Sequence, residues 1–184
     1  MKLEEKKISS KEIYKGKIIN LFNDEVRLPN GKLSHREYCR HIGAVCILPL
    51  LSDGRVIMER QYRYAAGREL LEIPAGKLNF ADEDPLSAAA RELREETGAV
   101  AGKYTYLGKM LGSPAILSET VHMYLAEELD FGETSPDDDE FIEIEKIPLS
   151  ELYEMVMSGR IEDSKTQIAL LKTWELKKEK NSKW

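Results

Sequence analysis

The stretch that decides the fold occupies residues 76–99 and reads GKLNFADEDPLSAAARELREETGA. Asp84 is a favourable N-cap residue, and a proline directly after it suits the first position of a helix. Apolar residues then recur at the i, i+3, i+4, i+7 spacing of one helix face, as Leu86, Ala89, Ala90 and Leu93. Gly98 is a typical C-terminal stop. The pattern predicts an amphipathic helix from residue 85 to about residue 97.

Three carboxylates cluster in the last turns of this predicted helix. Glu92 and Glu96 share one face, and Glu95 lies beside Glu92. Negative charge near a helix C-terminus is unfavourable, and like charges four residues apart repel each other. A divalent cation such as magnesium, which prefers oxygen ligands, would remove both costs. The alternative is a solvated face on which Arg91 and Arg94 neutralise the glutamates through surface ion pairs.

Strand patterns precede the helix. Two pairs of strands flank turns rich in glycine, proline, asparagine and aspartate, at residues 18–28 with 32–41 and at residues 44–51 with 56–64. We expect each pair to form an antiparallel hairpin. A short strand at residues 70–73 should run into an irregular loop at residues 74–76, because that loop contains proline and glycine.

After the helix, strand patterns occupy residues 104–111, 121–129 and 141–147, and Ser164 is a candidate N-cap for a final helix. The order is therefore mostly β, with one central helix and helices at the end. This order predicts an α+β fold with a mixed or antiparallel sheet. A length of 184 residues suits a single domain and leaves room for an added arm.

Composition excludes several classes of function. The 33 acidic residues outnumber the 27 lysines and arginines, and the net charge of -6 disfavours nucleic acid or an anionic membrane as a partner. The longest apolar run, residues 42–51, is too short to cross a membrane. Cys39 and Cys46 belong to no metal or CxxC spacing and are interpreted as reduced packing residues. We therefore expect a cytoplasmic protein without nucleic-acid or membrane partners.

Several positions at fixed spacing closely resemble the Nudix box. They are Gly76, Glu83, Arg91-Glu92-Leu93, Glu95-Glu96 and Gly98-Ala99. The family usually has one residue fewer between its first glycine and the next glutamate. Either Glu83 follows a one-residue insertion, or Asp82 takes its place; we favour Glu83, because its distance to Arg91 is the usual one. The resemblance implies a Nudix fold, a mixed β-sheet sandwiched by helices, at residues 42–184. An N-terminal arm of antiparallel strands would occupy residues 1–41.

Segments outside the box resemble the ADP-ribose pyrophosphatases of this family. They are Leu71 to Gly76, Arg36-Glu37, Glu59 to Tyr64, and the Ser113-Pro114 segment, in which Ala115 replaces the usual glycine. The resemblance implies hydrolysis of the diphosphate of ADP-ribose, a nucleoside diphosphate sugar, to AMP and ribose 5-phosphate. Two alternatives stay open. One is hydrolysis of another nucleoside diphosphate sugar such as GDP-mannose, and the other is a non-catalytic module that binds ADP-ribose.

The resemblance also implies a metal site. Magnesium, for which manganese can substitute, would be bound by Glu92, Glu95 and Glu96, with the backbone carbonyl of Ala75 completing the site. Arg91 would orient these glutamates and pair with Glu83.

Substrate contacts are expected from Arg36, Glu37, Arg63, Ser113, Pro114 and Glu119. Arginine offers planar donors to a diphosphate or a base edge, whereas glutamate accepts from ribose hydroxyls or an adenine amino group. The alternative is that Arg36, Glu37 and Arg63 are outward residues of half-buried strands.

The general base is expected in the acidic loop at residues 137–140, on Asp139 or Glu140, with Asp137 next. The alternative for this loop is a charged, solvated turn. The resemblance further implies a homodimer with exchanged N-terminal strands, for which the hairpin around Asn30 is a candidate arm.

Overall fold

The computed structural model describes residues 2–132 and 141–181, with side chains as far as residue 178. The chain forms two compact units, which are described separately. The first comprises the residues up to Gly43 together with Leu111–Thr120. The second comprises Ala44–Met110 and the residues from Val121 onward. In the described residues, no helix has the length and apolar character that a membrane crossing requires.

The first unit is built on one antiparallel sheet. Its strands are β1 (Lys6–Lys15), β2 (Asn20–Arg27) and β3 (Leu33–Arg40), in the order β1-β2-β3. The predicted hairpin of residues 18–28 and 32–41 is confirmed as β2 and β3. Gly31 takes a φ of 85° in its turn and donates its N–H to the carbonyl of Leu28 at 2.9 Å. The N-terminal arm of antiparallel strands is therefore present.

Burial in this sheet is confined mainly to β2. Phe22, Asp24 and Val26 point to one side and are buried, whereas all ten residues of β1 are exposed. The Asp24 carboxylate accepts hydrogen bonds from the hydroxyls of Ser10 at 2.5 Å and Tyr38 at 3.3 Å. Hydrogen bonds between side chains thus link β2 to both β1 and β3.

The second unit contains seven strands and three helices among its described residues. They are β4 (Ala44–Pro49), β5 (Arg55–Arg63), β6 (Arg68–Glu72), β7 (Ala75–Lys77), α1 (Pro85–Thr97), β8 (Ala99–Met110), β9 (Val121–Phe131), β10 (Ile142–Pro148), α2 (Leu149–Met157) and α3 (Ser164–Asn181). One sheet has the order β7-β4-β9-β8 and the other β10-β5-β6. Only the pair of β4 and β9 is parallel, so the first sheet is mixed.

Strand β4 lies at the centre of the unit, and all six of its residues are buried. Because side chains alternate along a strand, Val45 and Ile47 pack with Leu93 of α1 on one face. Cys46 and Leu48 pack on the other face, in the cluster that includes residues of α2 and α3. The predicted α+β fold, with a mixed sheet between helices, is confirmed.

Helix α1 begins and ends where the sequence predicts. The Asp84 side chain accepts from the Ser87 N–H, and Gly98 ends the helix in the left-handed conformation at φ 70°. The buried face differs from the prediction, because Leu86 is 39% exposed whereas Glu96 is buried. The helix therefore presents acidic side chains, rather than only apolar ones, to the interior of the unit.

Three local predictions are wrong. Residues 44–51 and 56–64 do not form a hairpin, because beyond one bridge between Leu50 and Val56 the two strands enter different sheets. The loop predicted at residues 74–76 contains the start of β7, which pairs with β4. Finally, the N-cap contact of α3 comes from Asp163 rather than Ser164, since its carboxylate accepts from the Thr166 N–H at 2.9 Å.

Candidate active site

The short strand β7 brings the backbone of the chain directly against α1. Its pairing with β4 fixes Ala75 opposite Cys46 and Gly76 opposite Val45. A Cβ atom on Gly76 would lie 2.0 Å from the carboxylate carbon of Glu92, far inside van der Waals contact. The glycine therefore forms a cradle that only a residue without a side chain can provide, and the Glu92 carboxylate occupies it.

The next carboxylate on the helix is also tied to β7. The Glu96 carboxylate accepts a hydrogen bond from the Ala75 N–H at 3.1 Å, and Glu96 is only 7% exposed. The Glu92 side chain is 12% exposed. This burial argues against the solvated-face alternative for both glutamates. Burying two carboxylates on one helix is costly unless charged or polar groups compensate them.

Arg91 supplies part of that compensation. Its Nη1 donates to Glu92 at 2.8 Å and to Glu95 at 3.1 Å, while its Nε lies 3.6 Å from the Glu83 carboxylate. Burial disfavours the guanidinium charge, but Glu92 and Glu95 outweigh this effect and raise the pKa of Arg91. Glu83 also accepts from the Asn79 N–H at 2.5 Å. The structure thus brings together Glu83, Arg91 and the two carboxylates it touches.

The donor set here fits a divalent ion that is shared with a ligand. In residues 2–132 and 141–181, no three acidic, histidine or cysteine side chains lie close enough together to hold a metal ion unaided. Magnesium, however, is usually held by one or two carboxylates, with water and substrate phosphates completing its shell. The carboxylate in the Gly76 cradle and the neighbouring glutamates offer oxygen ligands of that kind.

A second ionic cluster adjoins this site, and the sequence analysis recognised only one of its members. Arg63 donates from Nε and Nη2 to the Glu72 carboxylate at 2.8 and 2.7 Å, and Lys165 contacts the same carboxylate. Burial opposes ionisation of Glu72, but the hydrogen bond from Arg63 and the charge of Lys165 prevail and lower its pKa to about 2. One sequence signal could have indicated this cluster: Glu72 stands between the apolar residues Leu71 and Ile73. A glutamate in such a stretch is expected to be buried, and a buried charge requires a partner of opposite charge.

Most residues predicted to bind substrate lie in the first unit. Arg36 forms a bidentate pair with Glu5, with contacts of 2.8 and 2.5 Å, whereas Glu37 is 3.5 Å from the Asn23 amide. These contacts are compatible with the alternative that Arg36 and Glu37 are outward residues of half-buried strands.

The other predicted substrate residues of this unit belong to its second segment, Leu111–Thr120. The Ser113 carbonyl accepts from the N–H groups of Ile116 and Leu117, which places Pro114 in a turn. Glu119 lies 3.3 Å from Nδ1 of His41. The predicted base residues Asp137, Asp139 and Glu140 lie outside the described residues.

Comparison with known proteins assigns both parts of the sequence. Residues 40–170 match the NUDIX domain, and residues 5–38 match the nucleoside diphosphate sugar hydrolase N-terminal domain. A solved structure titled as an ADP compounds hydrolase superposes with a TM-score of 0.87, covers 98% of each chain and is 22% identical, which supports the fold.

Curated relatives cover most of the chain. An ADP-ribose pyrophosphatase of Bacillus subtilis is 43% identical over 170 residues, which cover 91% of each chain. A methanol dehydrogenase activator of Bacillus methanolicus is 39% identical over 169 residues, also covering 91% of each. A GDP-mannose pyrophosphatase of Klebsiella pneumoniae is 32% identical over 162 residues, covering 82% and 81%. The acidic helix, its glycine cradle and these matches together show that the chain belongs to the Nudix hydrolase family.

Proposed function

We propose that the protein hydrolyses the diphosphate bond of ADP-ribose, so that water and ADP-ribose give AMP and ribose 5-phosphate. The observation that carries the proposal is the cradle at Gly76, which holds the Glu92 carboxylate beside Glu96 and Ala75. The choice of ADP-ribose rests on the relatives, because an ADP-ribose pyrophosphatase is more similar to this chain than a GDP-mannose pyrophosphatase.

Nudix hydrolases generally use divalent metal ions, and we propose magnesium here, with manganese able to replace it. Glu92, Glu95, Glu96 and the Ala75 carbonyl would hold it. When bound, the ion supplies charge neutralisation for the diphosphate and acidifies a water molecule. Arg91 keeps the carboxylates oriented from the side facing Glu83, which is the role of a supporting residue around a metal site.

The remaining steps require groups that recognise substrate and accept a proton. We propose Arg63 as a donor to the diphosphate, because its side chain is 43% exposed and its guanidinium is already oriented by Glu72. Asp139 or Glu140 would accept the proton from the attacking water. Arg36, Glu37, Ser113, Pro114 and Glu119 would contact the nucleoside and ribose.

Assembly and compartment belong to the same proposal. We propose a homodimer in which the arm at residues 1–41 is exchanged, since β1 is exposed along its whole length. The Nudix domain would then occupy residues 42–184. Cys39 and Cys46 are both free thiols, which supports a reducing compartment such as the cytoplasm.

The test is release of AMP from ADP-ribose by the purified protein in the presence of magnesium. A panel that includes GDP-mannose separates the two sugar-nucleotide alternatives by their kcat/KM values. Glu96→Gln should lower kcat by about 100-fold or more because it removes a proposed ligand charge. Glu154→Gln, an exposed glutamate on α2, is the matched control and should keep full activity. If the wild type binds ADP-ribose but releases no AMP, the protein is a binding module.

A further inference from the structure

The first turn of α3 is joined to the end of β6 by charged and hydrogen-bonding side chains. Lys165 contacts the Glu72 carboxylate and lies 3.0 Å from the Asp163 carboxylate. Glu72 is 3% exposed and Lys165 15%, so the pair is largely withdrawn from water. An ion pair in such surroundings is sensitive to the loss of either partner.

Glu72 is the shared acceptor of two cations. Arg63 approaches its carboxylate as a fork through Nε and Nη2, and Lys165 contacts the same oxygen, Oε2, as Nη2. A carboxylate held from two sides cannot rotate freely, so the guanidinium plane of Arg63 is fixed as well. Within the described residues, the hydrogen bonds of Arg63 come from Nε and Nη2, which leaves Nη1 to donate to a ligand.

A second branch from the same helical turn reaches the backbone next to Glu72. The Thr166 hydroxyl, which is fully buried, accepts from the Ile73 N–H at 3.0 Å and donates to the Asp163 carboxylate at 2.6 Å. Two residues further along, the Ala75 N–H donates to Glu96. The hydrogen bond to Glu72 is the main cause that raises the pKa of Arg63, and the negative charge of Glu96 raises it further.

We propose that Lys165 is a positioning residue, which, through Glu72, holds the Arg63 guanidinium in the orientation that receives the diphosphate of the substrate. The proposal rests on the proposed function, since it takes Arg63 as a donor to that group. Lys165 itself does not touch substrate. Its contribution is to keep a planar donor in place, and small misplacements of such a donor are expensive for binding and catalysis.

The variant that tests this is Lys165→Met, which removes the charge and keeps most of the side-chain volume. We expect binding of ADP-ribose to the metal-free protein, measured by calorimetry in EDTA, to weaken about tenfold. We expect KM to rise by a similar factor when magnesium is added. Lys165→Arg, which can still donate to Glu72, should restore binding to within about threefold of wild type.

Lys172→Met is the matched control, because Lys172 lies on the same helix and donates to the Leu107 carbonyl at 2.8 Å, away from β6. It should leave binding and KM unchanged. If K165M does not fold, Asp163→Asn removes the negative charge beside Lys165 but keeps an oxygen that can accept from Thr166 and cap α3, and it should weaken binding two- to fivefold. A variant set in which K165M or D163N lowers Tm without changing the affinity for ADP-ribose would overturn the proposal, because Lys165 would then be purely structural.

The proposed function and this inference can fail separately. If the wild type neither binds nor cleaves ADP-ribose, the proposed function is wrong. Binding of inorganic diphosphate then tests the role of Lys165, because the guanidinium of Arg63 would still be the receiving group. Weaker diphosphate binding in K165M with recovery in Lys165→Arg supports the inference, and equal binding in all three proteins contradicts it.

Discussion

Strands β1 and β4 show how differently the two units are held together. All six residues of β4 are buried between two layers of side chains, whereas all ten residues of β1 are exposed. Burial of apolar surface contributes roughly 25 cal/mol per Å², so β4 is stabilised by its own side chains. Strand β1 depends on backbone pairing with β2 and on polar contacts such as Ser10 to Asp24. Single substitutions in β4 should therefore destabilise the protein far more than substitutions in β1.

The largest effect is expected from Gly76→Ala. The added Cβ would overlap the Glu92 carboxylate, 2.0 Å away, so that carboxylate must leave its place against β7. Because Glu92 is a proposed metal ligand, we expect its displacement to lower kcat for AMP release at least about 1000-fold, equivalent to about 4 kcal/mol. Gly132→Ala is the control, because the nearest atom to its Cβ would be 3.9 Å away. Activity close to wild type in G76A would show that the cradle is not part of the site.

A matched pair of core and surface isoleucines tests the contrast directly. Ile47 in β4 is fully buried, and Ile47→Ala should lower the free energy of unfolding by about 2–5 kcal/mol, because it leaves a cavity beside α1. Ile13 in β1 is 50% exposed, and Ile13→Ala should change the same free energy by less than about 0.5 kcal/mol. Urea denaturation monitored by circular dichroism measures both.

A large effect of Ile13→Ala on the free energy of unfolding would contradict the view that β1 gains little stability from the packing of its side chains. If that effect grows with protein concentration, a second copy of the chain covers the strand, as the proposed homodimer requires. If it is large but independent of concentration, contacts within one chain stabilise β1 more than its exposure indicates.

The same contrast explains which parts of the fold could be predicted from sequence. The bounds predicted for helix α1 are confirmed, because Asp84, Pro85 and Gly98 are strong local signals. The prediction of a hairpin at residues 44–64 is wrong. A turn sequence shows where the chain reverses direction, but it does not show which sheet each flanking strand joins. Strand β1 was not recognised as a separate element, because its exposed residues lack the alternation of a half-buried strand.

The candidate site divides in the same way. The carboxylates on α1 and the pairing of Arg91 with Glu83 follow spacing along one segment, so local periodicity brings them together. The contacts of Glu72 with Lys165 and of Ile73 with Thr166 join residues 93 positions apart. No local sequence pattern predicts a contact between residues so far apart in the chain. Only the general rule that a buried charge needs a partner indicates that one exists.

A buried ion pair and an exposed one should differ in their response to acid. The pKa of Glu72 is about 2 in the folded protein, below its ordinary value of 4.5, because the contacts with Arg63 and Lys165 overcome the effect of burial. Its stabilisation is therefore complete above pH 4.5 and is lost as the pH falls toward 2, by up to about 3 kcal/mol. Urea denaturation across this range measures the loss, and Glu72→Gln should flatten that part of the profile. If the free energy of unfolding of E72Q falls with pH as steeply as that of the wild type, other carboxylates cause the acid sensitivity.

The smallest effect is expected from the exposed pair of Arg36 and Glu5, whose side chains are 44% and 34% exposed. Water and salt screen a pair of this kind, and holding two long side chains in one geometry costs entropy. Glu5→Gln should therefore produce no measurable change in Tm at either low or high salt. A fall of more than about 2 °C that disappears on dilution would instead mean that a second chain shields the pair from solvent. In that case the exposed sheet of the single chain would be the interface through which the homodimer forms.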